Sequence, residues 1–285
     1  MNLPTIQKVS VHGGHSGQFC HHARDSLEDV VLAYIKAGFS WVGITEHMPP
    51  LDDSRRYPDE AASLLSATEL QTRFRGYFAE CRRLQQKYAG QIRLFTAFET
   101  ENYPGSTSFV QQLIRETRPD YIVGSVHHVG DIGIDYDANH YRQAVQAAGS
   151  VEQLYCDYFD DQFAMLEALQ PAVVGHFDLI RIFDADYLQT LQQASVQQRL
   201  TRNLQLIADL GLIMDFNLRG FDKSLEQYPS LPVLQQALRL GCIVVPGDDS
   251  HGVGSVGRHW DKGVAILREL GHDCRWREPA RLFTA

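Results

Sequence analysis

The chain has 285 residues, 44% hydrophobic and 21% charged, with a formal net charge of −9. That length and apolar content suit a folded protein with a sizeable core, and the acidic balance argues against a general nucleic-acid binder, which needs a basic face. No apolar run approaches a membrane span, the N-terminus lacks a charged-then-apolar signal pattern, and the five cysteines (20, 81, 156, 242 and 274) form no C-x-x-C pair, so reduced thiols and a cytoplasmic location are expected.

The first predicted strand, around Val9 and Val11, runs into VSVHGGHSGQFCHH, where His12, His15, His21 and His22 fall within eleven residues. Neutral imidazole is a common ligand for zinc and similar cations. His12 and His15 are three apart, so both can face one cation only across a bulge, which Gly13-Gly14 is expected to permit through unusual backbone angles. Ser26-Leu27-Glu28-Asp29 reads as a helix start, with Gly38 as the stop. A strand over Phe39–Thr45 ends in Glu46-His47. Residues 49–67 read as a loop over a site, and a helix from Thr68 to about Ala89 follows.

The next strand, Ile92–Phe98, ends at Glu99. A helix near Thr107–Glu116 leads to the strand Tyr121–Val126, ending at His127-His128. Ser150 with Gln153 caps a helix to about Leu169. The strand Ala172–Val174 ends at Gly175-His176. A helix over 185–209 precedes the strand Leu212–Phe216, ending at Asn217. Pro232 suits the first residue of a helix. The strand Cys242–Val245 runs to Asp248-Asp249-Ser250-His251, and a helix over Lys262–Leu270 closes the series.

Seven short β-branched strands alternating with helices predict a parallel α/β fold, a barrel in preference to an open sheet, in one domain over 1–285. His12/His15, His47, Glu99, His127/His128, His176 and Asp249/His251 each fall at the carboxyl end of a predicted strand. In a parallel barrel those ends share the rim where active sites are built. Nitrogen and carboxylate donors in this proportion suit zinc, iron or manganese, and eight or nine candidates imply two or three divalent ions. Glu99 is the natural bridge, having two oxygens to share.

Such ions acidify a bound water and polarise a phosphoryl oxygen, so a metal-bound hydroxide could attack phosphorus in line. His127 competes with His128 for one position, and His22 with His21; we take His127 and His22. Asp248 is expected to orient a neighbour. Guanidinium forks match phosphate geometry, which singles out Arg181 as a phosphate clamp. Arg219, Arg258 and Asn217 are further substrate-binding candidates. Glu99, Asp249, His251 and Arg181 form the expected catalytic set. His140, His259 and His272 read as surface or structural residues.

These residues resemble the PHP (polymerase and histidinol phosphatase) metallophosphoesterases, and within them the histidinol-phosphate phosphatases. The resemblance lies in His-x-x-His followed by Phe19-Cys20-His21-His22, in Ile44-Thr45-Glu46-His47, and in Glu99 after an apolar strand. It continues through Gly124-Ser125-Val126-His127, Gly175-His176-Phe177-Asp178-Leu179-Ile180-Arg181 and Gly247-Asp248-Asp249-Ser250-His251. It implies a distorted (β/α)7 TIM-like barrel, a trinuclear site and hydrolysis of L-histidinol phosphate, a step of histidine biosynthesis. By resemblance, His12, His15, Glu99 and Asp249 hold one metal. Glu99, His127 and His176 hold the second, and His22, His47 and His251 the third. Arg181 matches a phosphate-gripping arginine.

The chain departs from the usual Asp-x-His-x-His opening: Ser10 replaces the aspartate, and two residues separate His12 from His15. The competing readings are a PHP enzyme for another small phosphate ester or a nucleotide, an amidohydrolase-like metal hydrolase, and a non-catalytic metal-binding regulator. The expected partner is a small phosphorylated substrate, with no membrane or nucleic acid.

Overall fold

The computed structural model describes residues 6–223 and 226–283. Seven strands form one sheet in chain order: β1 (Lys8–Ser10), β2 (Phe39–His47), β3 (Arg93–Glu99), β4 (Tyr121–Gly124), β5 (Val173–Val174), β6 (Ile213–Asn217) and β7 (Ile243–Gly247). Every pairing is parallel, as expected of strands joined by helical crossovers. Beyond the strand ends, the Val11 amide donates to the Pro246 carbonyl at 2.9 Å and the Asp249 amide to the His12 carbonyl at 2.9 Å. Those bonds join the two edges and bring the sheet nearly to a closed barrel.

Strand residues alternate between two buried faces. Val42, Ile44, Leu94, Phe98, Ile122 and Met214 pack outward against the helices. Val9, Trp41, Phe95, Ala97, Tyr121, Val123, Ile213 and Val245 form a separate inner cluster. Tyr121 crosses the interior and donates to the Val11 carbonyl at 2.6 Å. The inner face continues at two-residue steps from Ala97 to Glu99 and from Ile213 to Asp215, so the apolar interior leads directly into the polar mouth.

Local signals explain where the helices start. Ser26 accepts from the Asp29 amide ahead of the helix Leu27–Lys36, and Ser66 forms a capping box with Glu69 at the head of Ala67–Lys87. Ser150 caps Val151–Leu169 through the Gln153 amide. Each cap satisfies an amide that has no partner inside the helix. Among the described residues no helix is long and apolar enough to cross a membrane.

Several expected boundaries shift. Strands β2 and β3 reach His47 and Glu99 themselves, because parallel pairing carries the ladder as far as His47 opposite Glu99. The helix expected over 185–209 is broken into Tyr187–Leu191 and Ala194–Leu210. Residues 49–67 carry a short 3-10 turn, Asp53–Arg55, and a five-residue helix, Pro58–Ala62. A small hairpin, His128–Val129 with Ile132–Gly133, and a helix, Ala138–Ala148, carried no clear signal in the sequence. Pro232 is the second residue of the helix Leu231–Arg239, which begins at Leu231.

The two glycines between His12 and His15 serve close approach, not left-handed backbone. Neither has a positive φ, but a Cβ on Gly13 would lie 2.3 Å from the Gly43 carbonyl oxygen and one on Gly14 2.6 Å from Val30. Gly13→Ala should therefore lower the urea midpoint by the equivalent of about 1–3 kcal/mol. Gly90→Ala, where a Cβ would meet nothing within 4 Å, should leave it nearly unchanged.

Candidate metal centre

Glu99 closes β3 on the inner face with 1% of its surface exposed. Its two oxygens serve two groups of side chains. Oε1 accepts from Ser125 at 2.6 Å and lies 2.8 Å from His176 Nε2 and 3.4 Å from His127 Nε2. Oε2 lies 3.3 Å from His12 Nε2, 3.4 Å from His47 Nδ1 and 4.0 Å from His15 Nε2. Asp249 Oδ1 stands 3.2 Å from His15 Nε2 and 4.0 Å from His12 Nε2. Toward solvent, the rings of His15 and His251 are 4.4 Å apart, His22 and His47 4.8 Å, and His22 and His251 5.1 Å.

All nine residues expected as ligands thus meet at one end of the barrel. Donor atoms close enough to share a cation occur in His12, His15 and Asp249; in His12, Glu99 and His176; in His47, Glu99 and His127; and in His15, His47 and His251. His12 Nε2, His15 Nε2, His47 Nδ1 and Asp249 Oδ1 are buried with no hydrogen-bond partner. Leaving such atoms unsatisfied costs about 1–3 kcal/mol each, and divalent cations among them would satisfy several at once. The donor set fits divalent metals, with Glu99 placed to bridge.

The paired histidines separate clearly. His127 faces Glu99, whereas His128 turns to Glu101 at 3.4 Å. His22 lines the cavity, whereas His21 pairs with Ser63 Oγ at 2.9 Å. Ser10, where the usual motif has an aspartate, faces away and donates to Asp248 Oδ1 at 2.6 Å. Asp248 also accepts from Tyr34 at 2.8 Å and the Gly257 amide at 2.7 Å, so it braces the loop that carries Asp249. Asp249 itself sits at φ 44, a left-handed conformation unusual for a side-chain-bearing residue that bends the chain toward His12 and His15.

Two carboxylates that the sequence reading passed over support these ligands. Asp215, fully buried on β6, lies 2.8 Å from His12 Nδ1, which turns His12 Nε2 toward Glu99. Glu101, 4% exposed, lies 3.0 Å from His127 Nδ1 and does the same for that ring. Such outer partners fix the tautomer of a ligating imidazole. Their signal was available: Asp215 repeats the inner-face parity of β6, and Glu101 lies two residues after Glu99.

The expected arginines divide. Arg219 lines the cavity, donates to the Asp249 carbonyl at 3.1 Å and contacts His251 Nδ1. Asn217 lines it too, donating to Asp215 at 2.9 Å and Asp249 at 3.3 Å. Arg181, expected as a phosphate clamp, does not line the cavity. Its side chain is fully buried, donates to the Glu226 and Gln227 carbonyls, and stacks 4.3 Å from the Tyr228 ring. It lies in the 3-10 turn Leu179–Phe183, and its Nε stands 3.4 Å from Asp178 Oδ2. Arg258 is likewise spent on the surface, 3.1 Å from Asp222. His140, His259 and His272 lie away from the centre, beside Asp137, Asp222 and Trp276.

Charge inside the site is balanced internally. Burial pushes the Glu99 and Asp249 carboxyls up, but the facing imidazoles, with Arg219 beside Asp249, hold both well below the usual carboxylate range. Burial pulls His12 and His127 down, yet Glu99 with Asp249 and Asp215, and Glu101 with Glu99, raise them well above an ordinary histidine. Burial lowers His15 to about 4. At pH 7 the metal-free site therefore holds protons on His12 and His127 that a cation must displace. Zinc uptake should release protons, read as a buffer-dependent calorimetric heat, and apparent affinity should fall as the pH is lowered. Glu99→Ala should lose bound metal, measured by elemental analysis.

The PHP domain model matches residues 13–219 of this chain. A Schizosaccharomyces pombe protein named "Probable histidinol-phosphatase" is 36% identical over 268 residues, spanning 92% of this chain and 87% of its own. The Saccharomyces cerevisiae histidinol-phosphatase is 28% identical over 314 residues, spanning 96% and 94%. A crystal structure of histidinol phosphate phosphatase from Lactococcus lactis, complexed with zinc, L-histidinol and phosphate, shares the fold with a TM-score of 0.70 at 23% identity, over 97% of both chains. On these matches, and on the convergence of the motif residues at one mouth, the chain belongs to the PHP domain family, in its histidinol-phosphatase branch.

Proposed function

We propose that the protein is a metal-dependent phosphomonoesterase that hydrolyses L-histidinol phosphate to L-histidinol and phosphate. The observation that carries this reading is one cavity of about 240 Å³ with three chemically distinct parts. Its inner end holds His22, His47, Glu99, His127, His176, Asp249 and His251, and Arg219 stands beside them. Its lining also includes Tyr57, Asp59, Asp135, Tyr136, Tyr228 and one further cation, Lys223. A phosphate suits the first two. Two carboxylates among tyrosines suit a small cationic, aromatic leaving group such as an aminoalkyl imidazole. The formal net charge of −9 weighs against an oligonucleotide. The histidinol-phosphatase names of the relatives support the same substrate.

The ligand set we assign is His12, His15, Glu99 and Asp249 for one ion, Glu99, His127 and His176 for a second, and His22, His47 and His251 for a third, drawn from zinc, iron and manganese. Bound there, the ions would supply an acidified water nucleophile and neutralise charge developing on the phosphoryl oxygens. The chain's own residues bind and orient. Glu99 holds the two halves of the site in register, and Ser125 fixes its Oε1 by donating to it. Arg219 faces the phosphoryl group as a counter-charge, itself held by the Asp249 carbonyl. Tyr57 and Tyr136 pack on the leaving group, and Asp135, with one buried oxygen lacking a partner, receives its ammonium. Water adds at phosphorus, the ester P–O bond breaks, and the alcohol departs with a proton.

The deciding experiment is a steady-state screen of metal-loaded protein against L-histidinol phosphate, its analogue lacking the amine, nucleotides and other phosphomonoesters. L-Histidinol phosphate should lead in kcat/KM; a nucleotide in first place would overturn the assignment. Arg219→Met should raise KM on the order of tenfold or more, through loss of a charge-assisted contact. Asp135→Asn should reduce kcat/KM for L-histidinol phosphate by about tenfold and leave the des-amino analogue nearly unchanged.

A further inference from the structure

Glu101 belongs to neither the assigned ligand set nor the cavity that would take phosphate, yet it is 4% exposed and faces four side chains. We propose that Glu101 is a positioning residue that couples metal binding to closure of the 49–67 segment over the cavity. The inference rests on the metal-centre reading and goes beyond it. The two oxygens of Glu101 face different structures. Oε2 lies 3.0 Å from His127 Nδ1 and 3.4 Å from His128 Nδ1. Oε1 accepts from the Tyr57 hydroxyl at 2.8 Å and lies 3.5 Å from His47 Nδ1.

The first oxygen acts on the metal site. A neutral imidazole has one N–H, and a carboxylate at Nδ1 draws it there, leaving the Nε2 lone pair facing Glu99 3.4 Å away. The second oxygen acts on the covering segment. Tyr57 immediately precedes the helix Pro58–Ala62, and its ring lies 6.2 Å from that of His22 and 6.4 Å from that of Tyr136. Other polar ties of the segment reach its periphery. Arg55 pairs with Asp131 at 2.5 Å, the Leu51 amide donates to the Tyr103 hydroxyl at 3.2 Å, and Asp53 caps the Ala67 amide at 2.7 Å. The Tyr57 bond instead ends on the carboxylate that orients a metal ligand.

Coupling then works in both directions. A cation held by His127 Nε2 keeps its Nδ1–H on Glu101 and keeps the acceptor for Tyr57 in place. Seating Tyr57 holds Glu101, and with it the His127 ring, in the ligating orientation. Without a cation, His127 and Glu101 can turn together, and Tyr57 loses its anchor.

Trypsin reads this coupling, because Arg55 and Arg56 lie within the covering segment. Zinc-loaded wild-type protein should be cut after these residues at least tenfold more slowly than protein stripped by a chelator. Tyr57→Phe should still fill with zinc at saturation, with a weaker affinity from the lost coupling, yet lose most of that protection. Glu101→Gln should bind zinc about 10–100-fold more weakly, as expected for loss of an outer partner of a ligand, with the segment open in either state. Circular dichroism checks that each variant is folded. Wild type that takes up no zinc would remove the metal-centre reading itself. Wild type that binds zinc without any change in cleavage would overturn the coupling, and Glu101→Gln binding zinc as tightly as wild type would overturn the positioning role. Should Glu101→Gln fail to fold, Tyr57→Phe decides alone, and undiminished zinc protection in it overturns the proposal.

Discussion

The structure depends on a carboxylate held where water does not reach. Glu99 stands at the top of the barrel interior, facing imidazoles from five histidines, and among the described residues no lysine or arginine pairs with it. An isolated buried carboxylate is costly. Here the cost is offset by ring nitrogens able to take up protons and by the Ser125 hydroxyl, an arrangement that cations can replace with stronger bonds. The same balance explains why the site is ordered around two oxygens with separate neighbours: one carboxylate can serve two ions only if its partners are already divided.

Around that core lies a layer of carboxylates whose task is orientation. Asp215 sets His12, Glu101 sets His127, and Asp248 braces the turn that presents Asp249. Each is buried and bonded to protein groups. The layer narrows the orientations open to each ligand ring, which matters because a ring that can turn freely loses binding energy to conformational entropy. Arg181 is organised in the same way. It faces Asp178, holds the carbonyls of Glu226 and Gln227 through one nitrogen and stacks on Tyr228, behind the cavity wall.

The cavity brings groups of opposite charge together. Histidines and carboxylates suited to cations share its lining with Arg219, Lys223, Asp59, Asp135 and three tyrosines. An ester with an anionic head and a cationic, aromatic tail complements that mixed lining.

Much of this was legible in the chain alone. Short β-branched runs alternating with helices implied the parallel barrel, and ligand-type residues at strand ends placed His12, His15, His47, Glu99, His127, His176 and Asp249 on one rim, because parallel strands must present their carboxyl ends together. The sequence could not tell which side of a buried wall a side chain faces. Arg181 and Arg219 look alike in sequence, each following a strand and each in a 3-10 turn, yet one side chain is buried against Glu226, Gln227 and Tyr228 and the cavity receives the other. Glu101 and Asp215 carry the right parity in sequence, but parity does not name the ring an outer partner touches, and those rings lie far away in the chain. His127 was separated from His128, and His22 from His21, by packing around them. Periodicity fixes the direction of a strand and its end; only long-range packing decides which neighbour each polar atom finds there.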